Sequence, residues 1–233
     1  MKVSLIIPVY NEESYIKDCL VSVMTQKEPP DEILIIDNNS TDKTVSIAKQ
    51  FPVKIIQEKK QGMIHARNRG FNEASGDIIA RCDADTRLST DWITRIKHNF
   101  RSRRIDALTG PCVFYDLKLQ TSFFSNFYLD IVKPILNGND VLLGPNMIVT
   151  KKMWITVKDD VCLNDKRVHE DIDLAIHIID AGGTISRDDK LIVKISGRRI
   201  KKNPVSFFGE YPLRVMKTLL YHKKELVTPF LVR

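Results

Sequence analysis

The run Val3-Ser4-Leu5-Ile6-Ile7-Pro8-Val9 restricts the folds open to this chain more than any other stretch. It shows no polar–apolar alternation, so a strand made of it is apolar on both faces and must be covered on both. Ile33 to Ile36, Val53 to Ile56 and Ile78 to Cys82 repeat the pattern. Between these runs the apolar spacing turns helical. Ser14 to Thr25 carries Tyr15, Ile16, Leu20, Val23 and Met24, and further helices are expected over Thr44 to Gln50 and His65 to Ala74. Turn residues separate the segments, as in Asn38-Asn39-Ser40-Thr41-Asp42 and Ser75-Gly76-Asp77. Strand and helix alternating over short connections predict an α/β fold with a mixed, mainly parallel sheet flanked by helices.

The second half is less regular. Asp106 to Phe114 reads as one strand and Thr121 to Leu136 as an aromatic-rich helix. Val141 to Thr150 is strand-like around Gly144-Pro145-Asn146. His169 to Ala181 has Ile172, Ala175, Ile176 and Ile179 on one helical face and stops at Gly182-Gly183. Strands at Thr184 to Ser186 and Leu191 to Ile195 precede a basic tail.

Charge separates that tail from the rest. The net charge of +7 resides wholly in residues 198–233, because residues 1–197 hold equal numbers of basic and acidic side chains. A basic tail on a neutral domain seeks phosphates, on a ligand or on a membrane surface. No basic stripe interleaved with aromatics runs through the remainder, which sets nucleic acid aside as a partner. Four scattered cysteines without a CxxC pair argue against a thiolate zinc site or a disulfide framework and suit a reducing cytoplasm. No apolar run approaches the roughly 18 residues of a membrane span. Tyr10-Asn11-Glu12-Glu13 stands where a signal peptide would need small residues, so Val3 to Val9 is read as a strand.

Ligands of open parallel sheets bind beyond the carboxyl ends of the strands. Three ends here are polar: Pro8 to Glu12, Asp37 to Ser40, and Asp83-Ala84-Asp85. Neither GxGxxG nor GxxxxGK[ST] is present, so common glycine-based phosphate cradles are excluded. On an extended segment Asp83 and Asp85 point the same way, and two hard oxygen ligands suit Mg²⁺ or Mn²⁺. Glu170, Asp171 and Asp173 open a helix, either as favourable N-terminal charge or as acid–base groups. His169 and His177 lie eight apart, not the four of HExxH, which excludes a zinc-protease site. His65 and His98 read as surface or structural residues, and Cys82 as packing within its strand.

These segments together resemble the family 2 glycosyltransferases. The matching blocks are Val3 to Glu12, Ile35 to Asp42, Gly62 to Gly70 with its Ala66-Arg67-Asn68 core, and the strand ending in Asp83-Ala84-Asp85. Gly144-Pro145-Asn146-Met147, His169 to Leu174 and Ser196-Gly197-Arg198-Arg199 follow in order. The resemblance implies a GT-A fold, Rossmann-like, over residues 1–197. Residues 1–100 would bind the nucleotide sugar, 101–197 the acceptor, and 198–233 would form a basic amphipathic helical tail. It further implies inverting transfer of a sugar from a nucleotide-diphosphate donor, most simply uridine-linked, with Mn²⁺ or Mg²⁺. Pro8, Tyr10, Glu12 and Asp37 would line the base and ribose pocket, and Arg67 would lie near the base or diphosphate. Asp83 would face the ribose and metal, Asp85 would ligate the metal, and Asp171 would be the general base with Glu170 beside it. Asp37-Asn38-Asn39 stands where many relatives carry Asp-Asp-Gly, which changes one polar contact from acceptor-only to amide.

The tail predicts a helix over Pro212 to Leu226, with Leu213, Met216, Leu219 and Leu220 on one side and Phe207, Phe208 and Tyr211 before it. Such a helix either touches an anionic membrane or packs on the domain or a sister subunit. Arg198 and Arg199, with Lys201 and Lys202, would meet the phosphates of a polyprenyl-linked acceptor. A peripheral enzyme on the cytoplasmic face, acting on a cell-envelope glycan or lipid-linked saccharide, is the resulting expectation. A non-catalytic sugar-nucleotide sensor is the alternative. A nucleotidyltransferase would need a Gly-rich basic loop where Tyr10 to Glu13 stands.

Overall fold

The computed structural model describes residues 1–118, 121–136, 138–203, 209 and 213–222. The first half alternates as expected: β1 (Val3–Val9), α1 (Ile16–Met24), β2 (Glu32–Asp37), α2 (Thr44–Ala48), β3 (Lys54–Gln57), α3 (Met63–Glu73) and β4 (Ile78–Arg81). It continues through β5 (Arg87–Leu88), α4 (Trp92–Ser102), β6 (Ala107–Thr109), β7 (Cys112–Phe114), α5 (Phe123–Ile135), β8 (Met147–Thr150) and α6 (Lys151–Val157). The last elements are α7 (Glu170–Asp180), β9 (Ile185–Arg187), β10 (Val193–Ile195) and α8 (Arg198–Lys202), followed by a helical segment over 213–222.

Seven strands form one sheet in the order β3-β2-β1-β4-β8-β6-β9. β1 to β4 run parallel, β8 runs antiparallel to both neighbours, and β9 is parallel to β6. The continuous apolar strands behave as two-faced surfaces. Val3, Leu5, Ile7 and Val9 of β1 face a core layer shared with α1 and α4, whereas Ile6 faces the layer under α3, α6 and α7. Ser4 shares the face of Ile6 and is buried, with its hydroxyl donating to Glu32 at 2.6 Å and accepting from the Gly76 amide at 2.8 Å. Helix α3 lies close to the sheet because Gly70 is bare: a Cβ there would come within 2.3 Å of Ile6 Cγ2.

Two expectations are corrected. Asp106 to Phe114 is two strands, because the chain breaks at Gly110-Pro111. There a Gly110 Cβ would sit 2.2 Å from the Leu191 carbonyl oxygen. β6 joins the large sheet and β7 a separate three-stranded sheet, β5-β10-β7. The Val141 to Thr150 run is a strand only at β8, since Leu143 to Asn146 forms a tight reversal closed by the Asn146 amide donating to the Leu143 carbonyl at 2.8 Å. The sequence reading also overlooks β5, α4 and α6. In α4 the buried face Trp92, Ile93, Ile96 and Phe100 has helical spacing and was legible.

The tail segment 213–222 turns one face to the domain. In the segment 213–222, Val215, Thr218 and His222 turn inward, while Leu213, Met216 and Leu220 are more than half exposed. Thr218 explains the choice: its hydroxyl accepts the His169 amide at 2.7 Å, tying the segment to the start of α7. Phe207, Phe208, Tyr211 and the part of the expected helix beyond residue 222 lie outside the described residues.

Candidate active site

The site is built around an arginine that the sequence reading does not single out. Arg81, the last residue of β4, is buried, and its guanidinium joins parts of the chain some ninety residues apart. Nη1 donates to Glu170 Oε1 at 2.6 Å, and Nη2 donates to Asp83 Oδ1 at 2.9 Å. Fully buried Arg67 reaches the same place from α3, with Nη1 donating to the Glu170 carbonyl at 2.9 Å and lying 3.6 Å from Glu170 Oε2. Arg67 therefore helps to position Glu170.

Adjacent carboxyls at the start of α7 are driven in opposite directions. Burial alone would raise Glu170, but the Arg81 and Arg67 guanidiniums overcome it and hold the carboxyl below its ordinary range. Asp171 is pushed well above that range by burial and by the Glu170 charge beside it. Asp171 Oδ2 accepts the Gly144 amide at 2.7 Å, while Oδ1 is buried without a hydrogen bond among the described residues. Gly144 packs closely here: a Cβ would lie 3.2 Å from both Asp171 oxygens and from Arg81 Nη2, so these side chains would have to shift to admit it. Asn146 acts as a strut behind the turn, accepting from Trp92 Nε1 at 2.9 Å and donating to the Leu191 carbonyl at 2.6 Å.

Asp171, Glu170, Asp83 and Arg81 border a cavity of about 570 Å³. Its outer wall comes from Arg199 and from Leu213, Arg214 and Lys217 of the tail segment. His169 also lines it, and burial pushes its imidazole down to about 4, so it is neutral at physiological pH.

Asp83-Ala84-Asp85 is a turn and not an extended segment, with the Thr86 amide donating to the Asp83 carbonyl at 3.0 Å. The two carboxylates consequently meet different cations, Asp83 taking Arg81 and Asp85 taking Arg198, whose Nε lies 3.0 Å from Asp85 Oδ2. Arg198 also forks onto both oxygens of Glu12, with Nη1 to Oε2 at 2.6 Å, and stacks 4.5 Å over the Tyr15 ring. Burial and the nearby Asp83 charge push Asp85 up to about 6, opposed by Arg198.

The other expected nucleotide contacts lie along the parallel edge. Pro8 is buried in β1 opposite Ile36, and Tyr10 is half exposed just beyond it. Asp37 is buried at the end of β2, and its Oδ1 accepts the Ser40 amide at 3.0 Å. Asn38 uses its whole amide on the next loop: Nδ2 donates to the Glu58 and Lys60 carbonyls, and Oδ1 accepts from Gly62. Asn39 has φ +68°, a left-handed conformation that Asn tolerates better than most residues.

A half-parallel, half-mixed seven-stranded sheet with an Asp-x-Asp turn leaving its fourth strand defines a GT-A fold. Residues 4–159 match Glycosyl transferase family 2, and the chain belongs to that family. Among curated proteins it is similar to glycosyltransferase AglE of Haloferax volcanii, 37% identical over 120 residues, which is 48% of this chain and 40% of that one. The chain spans less than half the length of the curated relatives it matches first. Its fold is similar to that of S. aureus TarS 1-349 in complex with UDP-GlcNAc, with TM-score 0.67 and 21% identity over 85% of this chain and 59% of that one. It is also similar to the mannosyltransferase PcManGT from Pyrobaculum calidifontis in complex with GDP-Man and Mn²⁺, with TM-score 0.65 and 20% identity over 84% of this chain and 56% of that one.

Proposed function

We propose that this chain is an inverting, metal-assisted glycosyltransferase that moves a sugar from a nucleotide-diphosphate sugar, most simply a UDP-sugar, to a hydroxyl of a glycan or lipid-linked saccharide. One observation carries the reading: Glu170 is held as an anion by two buried arginines, while its neighbour Asp171, whose Oδ1 is buried without a hydrogen bond among the described residues, borders the cavity that Asp83 also lines. A carboxyl with raised proton affinity is suited to accept a proton near neutral pH. In the proposed step the acceptor hydroxyl gives its proton to Asp171 as its oxygen bonds to the anomeric carbon. The bond from that carbon to the diphosphate breaks, and the diphosphate leaves with the electron pair.

Asp85, with Asp83, would hold Mn²⁺ or Mg²⁺, which when bound neutralises charge on the departing diphosphate. The donor set fits a cation, since Asp85 and Glu12 already grip the positive guanidinium of Arg198. Pro8, Tyr10, Glu12 and Asp37 would receive the nucleoside. Arg199, with Arg214 and Lys217, offers a cationic wall to the phosphates of a polyprenyl-linked acceptor. Peripheral attachment to the cytoplasmic face of a membrane accompanies this reading, and no helix among the described residues is long and apolar enough to cross a membrane.

The test is Asp171→Asn, assayed for transfer and, separately, for nucleotide binding by calorimetry across UDP- and GDP-sugars. Transfer should fall by about 10²–10⁴-fold with binding unchanged. Near-normal turnover in that variant would remove Asp171 as base. Nucleotide binding without transfer or release of nucleotide by the unaltered protein would favour a sensor.

A further inference from the structure

Three side chains outside the cavity converge on one point. Asp173 is on α7, two residues beyond Asp171 and therefore on a different side of the helix. His177 follows one turn later on the same face as Asp173, and His222 comes from the tail segment packed against that face. Asp173 Oδ1 lies 3.0 Å from His222 Nε2 and 3.7 Å from His177 Nε2, and the two imidazoles meet edge-on with centroids 4.9 Å apart. All three ligand atoms lie within 4.8 Å of one another. The Asp173 side chain is fully buried, and its other oxygen accepts the Cys162 amide at 3.0 Å, which fixes the carboxylate's orientation. His177 Nε2 is buried and makes no hydrogen bond among the described residues.

A hydrogen-bonded Asp–His pair accounts for His222 but leaves His177 Nε2 aimed at a carboxylate too distant to bond. A cation between the three atoms would take a lone pair from each. Tetrahedral Zn²⁺ with bonds of about 2.0 Å sets its ligands about 3.3 Å apart, and the observed 3.0 and 3.7 Å bracket that value. Two imidazole nitrogens and one carboxylate oxygen suit zinc or a neighbouring late transition metal, whereas Mg²⁺ and Ca²⁺ favour all-oxygen sets. The backbone amide on the second carboxylate oxygen is the outer support that metal-binding carboxylates ordinarily have.

We infer that Asp173, His177 and His222 form a zinc-class metal site that fastens the tail segment 213–222 to α7. The fourth position is left to water. The site is separate in place and chemistry from Asp83 and Asp85, and it does not depend on the function proposed above. Its consequence for that cavity is mechanical: α7 carries Asp171, the tail segment carries Leu213, Arg214 and Lys217, and the metal couples the two walls.

The whole chain, stripped with EDTA, would be titrated with ZnSO₄ by calorimetry, with Co²⁺ absorption in the visible range reporting tetrahedral coordination. Asp85→Ala serves as a second background. One Zn²⁺ per chain is expected in both, not displaced by excess Mn²⁺, and zinc should slow proteolysis within residues 213–222. His177→Gln and His222→Gln should each weaken zinc by more than the roughly 10–100-fold that losing an outer-shell partner costs, and should abolish the Co²⁺ band. Since His177 lies partly open on the surface of α7, its variant keeps the test decisive if His222→Gln fails to fold. Absence of zinc binding, or equal binding by the His177→Gln protein, would overturn the site.

Discussion

Two neighbouring carboxyls show how far a single side chain's chemistry depends on what lies against it. As the proposed base, Asp171 would act only when ionised, and burial with the Glu170 charge pushes its carboxyl up to about 8. The transfer rate should therefore rise with pH and level off above about 8. Glu170→Gln removes the repelling charge and frees Arg81 to face Asp171, so it should move that inflection to lower pH; a pH–rate profile of the variant checks the sign. Arg198 makes a second residue-scale case. Its guanidinium sits on Asp85 and Glu12, where a metal cation would compete with it. Removing charge-assisted hydrogen bonds worth about 1.5–3 kcal/mol, Arg198→Ala should tighten Mn²⁺ binding roughly ten-fold in the absence of nucleotide, as read by electron paramagnetic resonance. Unchanged or weaker binding would mean that the arginine does not compete for this position.

At the scale of elements, the site depends on helices pressed tightly to strands. Helix α3 reaches β1 only because Gly70 has no side chain, and the same approach delivers Arg67 to Glu170. Gly70→Val should cost about 1–3 kcal/mol through overpacking, seen as a lower urea midpoint with an unchanged slope. Arg81 links β4 to α7, so Arg81→Leu would leave Glu170 buried beside fewer positive charges. Loss of one partner of a buried ion pair costs about 3–5 kcal/mol, and thermal unfolding measured at pH 7 and pH 5 should show a smaller deficit at the lower pH. The sign follows from linkage. In the variant Glu170 loses the guanidinium that lowers its proton affinity, so protonation at low pH relieves the buried charge.

For the molecule as a whole, charge is segregated: a neutral domain carries a tail that holds the entire net +7. The described part of that tail contributes Arg214 and Lys217 to the cavity wall beside Arg199. Replacing Arg214 and Lys217 together with Glu should raise the KM for a polyprenyl-phosphate-linked acceptor about ten-fold or more, with UDP-sugar affinity unchanged and a weaker dependence on salt. An equal loss for donor and acceptor would argue against this division of the cavity.

Sequence alone determined the periodic features. Two-faced apolar strands announced a covered parallel sheet, because side-chain alternation is a property of the backbone and needs no partner to be read. The polar strand ends were legible in the same way, whereas the Asp83-Ala84-Asp85 and Glu170-Asp171 blocks gained meaning only through the resemblance to a family. Tertiary structure decided what depends on contacts between distant segments. It split Asp106 to Phe114 between two sheets, turned Val215, Thr218 and His222 inward, and seated Arg198 on Asp85 and Glu12. Arg81 is the plainest instance. In the sequence it is a lone charge at the end of an apolar run; in the fold, low dielectric and a partner 89 positions away make it the residue that holds Glu170 ionised beside Asp171, whose rise comes from burial and from the Glu170 charge.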